Sequence, residues 1–88
     1  MIATISGTVT HKSGGSAVIE AAGVGYLVHV TPATFGALRP GEQARLWTHE
    51  HVREDSRELF GFLTQGDQRL FLRLLGVSGV GPKMAMNI

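Results

Sequence analysis

Apolar and polar residues alternate loosely along the chain as far as Phe62, a spacing typical of strands with one buried face. Turn residues divide this stretch at Lys12–Gly15, at a tight reversal over Gly23–Gly25, and at a charged turn from Arg53 to Arg57. The pattern predicts five strands: Ile2 to about His11, Ala17–Ala21, Tyr26–Val30, Gln43–Val52 and Glu58–Phe62. Five short strands with one small helical insert favour an OB-like barrel over a sandwich.

The longest predicted strand, Gln43–Val52, has two different faces. One face carries Ala44, Leu46, Thr48 and Glu50, and the other carries Arg45, Trp47, His49 and His51. A short helix is predicted ahead of this strand, because Thr31 is a good N-cap and Pro32 suits the first helical position. We expect this helix to run from Pro32 to Leu38 and to end before the Pro40-Gly41 break.

After Thr64 the spacing of apolar residues changes from two to three and four, which indicates a helix. The apolar stripe of this helix consists of Leu70, Phe71, Leu74 and Leu75. Thr64 precedes Asp67 by the spacing of a helix N-terminus, and Gly76 is a natural stop. The pattern predicts a helix from about Gln65 to Leu75.

A further helix is expected to begin at Pro82, but the sequence ends at Ile88 before any helix stop signal. We therefore expect the chain to be a fragment of a longer protein. Its 88 residues, 43% of them apolar, suffice for one small domain and the start of a second. We expect a barrel domain over residues 1–63 and an incomplete helical domain over residues 64–88.

The charge balance limits the kinds of partner. Eight Lys and Arg stand against seven Asp and Glu, so the field of the whole chain is too weak to attract polyanions generally, and any nucleic-acid contact must be local. There are no cysteines, which excludes disulfides and thiolate metal sites. A signal-peptide pattern and a long apolar run are both missing from the sequence, so we expect a cytoplasmic protein without a membrane partner.

The turn between the last two predicted helices has the composition of a phosphate-binding turn. Gly79 and Gly81 allow the backbone to pass close to a ligand, and Val80 can pack between the helices. Pro82 leaves the amides of the next helical turn pointing outward, and Lys83 adds a positive charge. These groups cannot distinguish bases, so a DNA contact here would be to the backbone. An ordinary glycine turn between helices is the alternative interpretation.

Gly79-Val80-Gly81-Pro82-Lys83-Met84-Ala85 resembles the helix-hairpin-helix signature, in which Gly, a hydrophobic residue and Gly are followed by a hydrophobic residue and Ala. Together with the predicted barrel, the chain resembles the RuvA family over nearly all of its length. The segments that carry the resemblance are Met1-Ile2 with Gly7, Gly23–Tyr26, Val52–Asp55, Phe60–Phe62, and Leu74-Leu75 through Ser78–Lys83.

The resemblance implies sequence-independent binding of four-way (Holliday) junction DNA, as the non-motor subunit of a branch migration complex in recombination, DNA repair and the SOS response. It implies an OB-fold domain that forms a homotetramer, with an octamer as the larger form. It also implies that Ser78, Gly79, Val80, Gly81 and Lys83 bind DNA phosphates and that Glu54 and Asp55 form an acidic pin, flanked by Arg53 and Arg57. Composition alone favours a solvated turn at Arg53-Glu54-Asp55.

The resemblance further implies partners that this chain does not reach alone. The family has a second helix-hairpin-helix and then a C-terminal domain that contacts the RuvB motor, and both would follow Ile88. The resolvase RuvC is a further expected partner. We expect the chain itself to be non-catalytic and without a cofactor, with ATP hydrolysis supplied by RuvB, because the sequence has no Walker-type loop.

Three other functions were weighed. An enzyme could use His49 and His51 with Glu50 or Asp55, but the sequence offers no clear third metal ligand and no placed catalytic base. A single-strand-binding OB domain would need exposed aromatic residues. The candidates for that role mostly occupy core-like positions: Tyr26, Phe35, Trp47, Phe60, Phe62 and Phe71. A pure assembly module remains open, because the helical part is incomplete.

Overall fold

The computed structural model describes residues 1–77 and 79–86 of the chain. Its elements, in chain order, are β1 (Thr4–Ser13), β2 (Ser16–Ala21), β3 (Val24–Val30), α1 (Pro32–Ala37), β4 (Gln43–Val52), β5 (Arg57–Phe62), α2 (Gln65–Leu75) and α3 (Pro82–Met86). The predicted order of five strands, one inserted helix and a helical end is confirmed.

The five strands close into a barrel in the order β1-β2-β3-β5-β4, and β4 returns to pair with β1. All neighbouring strands are antiparallel except β3 and β5, which are parallel. The parallel pair arises because the chain leaves β3 through α1, forms β4 against β1, and then inserts β5 between β3 and β4. The OB-fold barrel predicted from the sequence is therefore confirmed.

Strand β1 takes part in both halves of the barrel. Its first residues pair with β4 and its later residues pair with β2, with an irregular register between Val9 and His11. Gly7 lies where the two pairings meet, and a Cβ atom there would collide with the backbone carbonyl of Glu20. A side chain at this position would push β1 away from β2, so the barrel closes because this residue is glycine.

One hydrophobic cluster fills the barrel. It consists of Ile5, Val9, Ala17, Ile19, Val28, Val30, Leu38, Leu46 and Leu59. The strands contribute alternate residues, as a closed sheet with a packed interior requires. Gly61 is the inward position of β5 that follows Leu59, and a Cβ there would lie 2.6 Å from Val28 Cγ1 and 3.0 Å from Leu46 Cδ1. The packing leaves no room for a larger residue at this site.

A second cluster joins the outside of the barrel to the helices. Its buried residues are Phe60, Phe62, Phe71, Ala85 and Met86, and Leu74, Leu75 and Val80 pack against them. Gln68 of α2 is also buried, and its Nε2 donates to the carbonyl of Thr48 in β4 at 2.6 Å. The helices are therefore fixed to the β4–β5 wall by aromatic packing and one buried hydrogen bond. The division into domains at residues 63 and 64 stays a prediction.

Helix α1 is anchored at both ends. The Thr31 side chain accepts a hydrogen bond from the Thr34 N–H at 3.1 Å, which confirms the predicted N-cap. At the other end, Lys12 Nζ donates to the carbonyls of Phe35 and Leu38 at 2.7 and 3.0 Å. The same ammonium lies 4.4 Å from the centre of the Phe35 ring. Lys12 thus satisfies helix-end carbonyls and ties α1 to β1.

Several predicted boundaries are wrong by a few residues. Strand β1 begins at Thr4, because the carbonyls of Ile2 and Ala3 bind Thr48 outside the regular ladder. The reversal before β3 is formed by Ala22 and Gly23, both with positive φ, so the strand already includes the two residues that were expected in the turn. Strand β2 begins at residue 16, β5 begins at residue 57, and α1 ends at residue 37.

The apolar stripe predicted on α2 is partly wrong. Leu70 is 50% exposed, whereas Phe71 is 1% exposed. Gln68 instead occupies a buried position one turn before Phe71, because its side-chain amide has a carbonyl partner on β4. The helix bounds Gln65–Leu75 and the cap at Thr64, whose side chain accepts from the Asp67 N–H at 3.1 Å, are confirmed.

Candidate nucleic-acid interface

The hairpin turn, defined here as the segment Gly76–Gly81 between α2 and α3, begins with a tight helix stop. The N–H of Gly76 donates to the Arg73 carbonyl at 3.1 Å and that of Val77 to the Leu74 carbonyl at 3.0 Å. Gly79 has φ of +83°, a conformation that side-chain-bearing residues rarely adopt. The predicted need for glycine at this position therefore has a backbone cause. Ser78, also predicted to bind phosphate, lies outside the described residues.

The start of α3 leaves the outer side of the hairpin turn open. Gly81 is exposed, and a Cβ atom at Gly79 or Gly81 would meet nothing within 4 Å. The side chain of Lys83 is exposed on the first turn of α3. Val80 packs inward against the second cluster, as its place between two helices predicts. The hairpin turn thus exposes its backbone at Gly79 and Gly81, and the first turn of α3 exposes Lys83. Val80 packs inward and holds the turn in place.

The charged turn between β4 and β5 forms a second exposed feature, called the acidic tip here and defined by residues 53–56. The N–H of Arg53 donates to the carbonyl of Ser56 at 2.8 Å, which closes the turn. Glu54 and Asp55 are exposed, and neither makes an ion pair within the described part of the chain. Their carboxylates are therefore directed into solvent at the end of a β-hairpin.

The two arginines beside the acidic tip have different partners. Arg57 Nε lies 3.1 Å from Glu50 Oε2, and the Glu50 side chain is only 10% exposed. Arg53 Nε donates to His51 Nε2 at 3.1 Å. The first contact is an ion pair across the paired strands β4 and β5. The second holds Arg53 against a side chain of β4, a contact that no local sequence pattern indicates.

A cleft brings the base of the acidic tip and the hairpin turn together. It is lined by Arg53, Glu58, Phe60, Gly81, Pro82, Lys83 and Met84. Arg53 therefore faces the same space as Gly81 and Lys83, although these residues are distant in sequence. Glu50 and Arg57 do not line this cleft. The structure thus brings one of the two predicted flanking arginines to the predicted phosphate turn.

Aromatic packing fixes the distance between the hairpin turn and the acidic tip. The Phe71 ring centre lies 5.3 Å from that of Phe60 and 5.0 Å from that of Phe62. These two residues stand on the outer face of β5, the strand that continues from the tip. Because the wall and the helix share one packed cluster, the turn cannot shift without breaking core contacts. This outer aromatic face was not predicted from the sequence, although the alternation Phe60-Gly61-Phe62 puts both rings on one side of β5.

Histidines of β3 and β4 lie beside the same aromatic cluster. His49 packs against Phe71 with ring centres 5.8 Å apart, and its Nδ1 is buried without a hydrogen-bond partner among the described residues. Burial lowers the pKa of His49 below its usual value, and the neighbouring His51 lowers it further. The ring is therefore neutral at neutral pH. His29 Nε2 lies 3.1 Å from Glu58 Oε2, and its Nδ1 is 2.8 Å from Ser16 Oγ.

The arrangement gives little support to the alternative functions. The ring centres of His49 and His51 are 6.2 Å apart, and residues 1–77 and 79–86 contain no group of three or more potential ligands placed to hold a metal ion. Three of the aromatic residues that could stack on bases are fully buried, namely Phe60, Phe62 and Phe71. Tyr26 and Phe35 pack against the barrel interior. Among the described residues, no helix is long and apolar enough to cross a membrane.

Comparisons with known proteins agree with this architecture. The family model described as the RuvA N terminal domain matches residues 1–61. The Holliday junction branch migration complex subunit RuvA of Mycobacterium avium (strain 104) is 56% identical over 86 residues, which cover 98% of this chain and 43% of that protein. The protein of the same name from Mycolicibacterium smegmatis is also 56% identical over 86 residues, covering 98% and 44%. That of Mycolicibacterium gilvum is 54% identical over 87 residues, covering 99% and 45%. The chain spans less than half the length of these curated relatives.

Proposed function

The chain belongs to the RuvA family, and from this premise we propose that it binds four-way DNA junctions through their backbone, as the non-motor subunit of a branch migration complex. The observation that carries the proposal is the cleft shared by the acidic tip and the hairpin turn. Arg53 lines it from the barrel, and Gly81 and Lys83 line it from the helices. A junction needs both a grip on a duplex arm and a separator near the crossover, and this cleft joins the two candidate elements.

The grip is assigned to the hairpin turn. Gly79, Val80, Gly81 and Lys83, together with Ser78, hold phosphates of one duplex arm. The positive φ of Gly79 and the open space around Gly81 support this role, because a DNA strand can approach the backbone closely there. Backbone amides and a lysine ammonium contact phosphates without reading base edges. The binding is therefore independent of sequence.

The separator is assigned to the acidic tip. Glu54 and Asp55 are exposed, so their charges act on nearby phosphates with little internal compensation. Repulsion between like charges extends over about one Debye length, roughly 8 Å at physiological salt. Carboxylates placed at the crossover keep the strands apart and prevent an intact duplex from crossing the centre. Arg57 holds the tip through Glu50, whereas Arg53 faces the cleft and the incoming strand.

Assembly completes the proposed site, because one chain carries one hairpin turn and one acidic tip. A tetramer of barrels presents a grip for each of the four arms and gathers the tips at the centre, and two tetramers would enclose the junction as an octamer. The division of labour is a barrel over residues 1–63 and the beginning of a DNA-binding domain over residues 64–88. The motor RuvB and the resolvase RuvC are the proposed protein partners, and the RuvB contact belongs to a C-terminal domain in the family.

The proposed role is non-catalytic. The chain recognises and holds the junction, and RuvB supplies ATP hydrolysis and translocation. We expect the protein to act in the cytoplasm, in recombination and DNA repair. No cofactor is needed for backbone contacts made by amides, lysine and arginine.

A competition experiment tests the proposal. Fluorescence anisotropy would compare an immobile four-way junction, a duplex with the sequence of one arm, and a single strand, with a full-length mycobacterial relative as positive control. The junction should be preferred over the duplex by about tenfold or more, because several grips act together. A second junction of unrelated sequence should bind equally well. Preference for the single strand would refute the proposal.

A matched pair of variants tests the assigned grip. Lys83→Ala should weaken binding to all junctions and lower the slope of log affinity against log salt by about one. Arg39→Ala removes the same charge from an exposed site outside the cleft and should change little. Light scattering on the same samples tests the assembly, and a stable monomer at binding concentrations would contradict the tetramer.

A further inference from the structure

The hydrogen bond between Arg53 and His51 assigns the acceptor role to one ring nitrogen of the histidine. A guanidinium has donors and no acceptor, so the 3.1 Å contact requires Arg53 Nε to donate and His51 Nε2 to accept. The accepting nitrogen must therefore carry a lone pair. In the neutral ring the proton then lies on Nδ1, and in the doubly protonated ring the hydrogen bond is impossible.

Several titratable groups lie near His51 or line the cleft beside it. The residue opposite it on β5 is Glu58, and that carboxylate already binds His29 Nε2 of β3 at 3.1 Å. On its own strand, the nearest titratable side chain is His49, with ring centres 6.2 Å apart. From the helices, Lys83 lines the cleft that also contains Arg53 and Glu58. Glu58 and Lys83 therefore share the cleft with the Arg53 side chain, and His51 binds that side chain from outside the cleft.

We propose that His51 is a positioning residue for DNA binding, which holds the Arg53 guanidinium toward the cleft shared with the hairpin turn. The inference rests on the proposed function, because the cleft is the place where a strand passes from the duplex arm to the acidic tip. The hydrogen bond to His51 Nε2 supports one position of the Arg53 side chain. Without this acceptor the guanidinium has no partner on β4 among the described residues and turns into solvent.

The first test needs no DNA and uses the 88-residue chain. Nitrogen NMR of the histidine rings at neutral pH reports which ring nitrogen carries the proton. His51 should show the Nδ1–H form, opposite to the usual preference of free imidazole for Nε2–H. His11 is the internal control, since it is exposed on β1 and its ring makes no hydrogen bond in the described structure. Arg53→Ala should return His51 to the usual form. A wild-type His51 in the Nε2–H form would overturn the proposal.

The second test uses junction binding. His51→Leu should weaken binding about two- to tenfold near pH 8, the range expected for one weakly held charged contact. His51→Gln keeps an acceptor that does not titrate, so it should bind within about twofold of the wild type. Circular dichroism confirms that each variant is folded.

A double variant decides whether His51 acts through Arg53. In the Arg53→Ala background, His51→Leu should cause no further loss of affinity. An equal loss in both backgrounds would show that His51 acts on its own and would overturn the positioning role. If the tautomer is as expected but no form of the chain binds junctions, the proposed function fails while the Arg53–His51 coupling stands. The two ideas are thus separable.

Discussion

Phe71 is the residue on which the docking of the helices depends most. Its side chain is 1% exposed, and its ring lies between 5.0 and 5.8 Å from the rings of Phe60, Phe62 and His49. Replacing it with alanine removes a fully buried ring and leaves a cavity at the joint between barrel and α2. The expected cost is about 3–5 kcal/mol of unfolding free energy, the usual range for a buried Phe→Ala change.

Two further variants separate aromatic packing from simple apolar burial. Phe71→Leu keeps most of the apolar volume but loses three ring contacts, and at about 0.5–1 kcal/mol for each an intermediate loss of about 1.5–3 kcal/mol is expected. Leu70→Ala, next to it on the same helix, changes a side chain that is 50% exposed and should cost less than about 1 kcal/mol. Urea unfolding followed by circular dichroism measures all three. Equal losses for Phe71→Ala and Leu70→Ala would refute the assigned joint.

Three other predictions concern stability. Lys12→Met should lower the unfolding free energy by about 1–3 kcal/mol in urea titrations, because two helix-end carbonyls lose their donor, and an unchanged midpoint would contradict the anchoring of α1. Gly7→Ala should lower the unfolding free energy by about 1–3 kcal/mol, because the new Cβ atom collides with the Glu20 carbonyl. Gly36→Ala, in open space on α1, should be neutral or stabilising. Thermal melts measure both variants, and a Gly7→Ala chain that melts at or above the temperature of Gly36→Ala would contradict the prediction. Burial lowers the pKa of His49 in the folded state, so the unfolded chain binds a proton at this residue first as the pH falls. The unfolding free energy should therefore be highest above about pH 6.5 and should fall below that pH. His49→Gln should weaken this pH dependence in urea titrations, and an unchanged profile would contradict the assignment.

The parts of the fold that depend on local patterns could be predicted from the sequence. The bounds of β4 and α2 agree with the prediction because alternation, helical period and the cap at Thr64 are all properties of neighbouring residues. The start of β3 was misplaced because Ala22 adopts a positive φ that its residue type does not favour. The burial of Gln68 was missed for a different reason. A glutamine is buried only when a partner exists, and that partner, the Thr48 carbonyl, is on a distant strand.

The candidate site divides in the same way. The need for glycine at position 79 is a local property, and the structure explains it by the positive φ. Arg53, Gly81 and Lys83 line one cleft only in the folded chain. They come together because the helices pack against the aromatic residues on the outer face of β5. The Arg53–His51 hydrogen bond depends on side-chain direction at the end of β4, which no sequence pattern specifies. The roles of these residues in DNA binding stay predictions.

In the proposed function, the acidic tip separates strands at a junction that the hairpin turn holds. A comparison of the wild type with Glu54→Ala/Asp55→Ala in a full-length version tests this role, on a junction carrying a fluorescent base analogue at the crossover. Binding affinity and crossover fluorescence would be recorded together. The affinity should not fall, since exposed carboxylates repel phosphates, and the fluorescence should change, since strand separation depends on them. A clear loss of affinity with an unchanged crossover signal would contradict it.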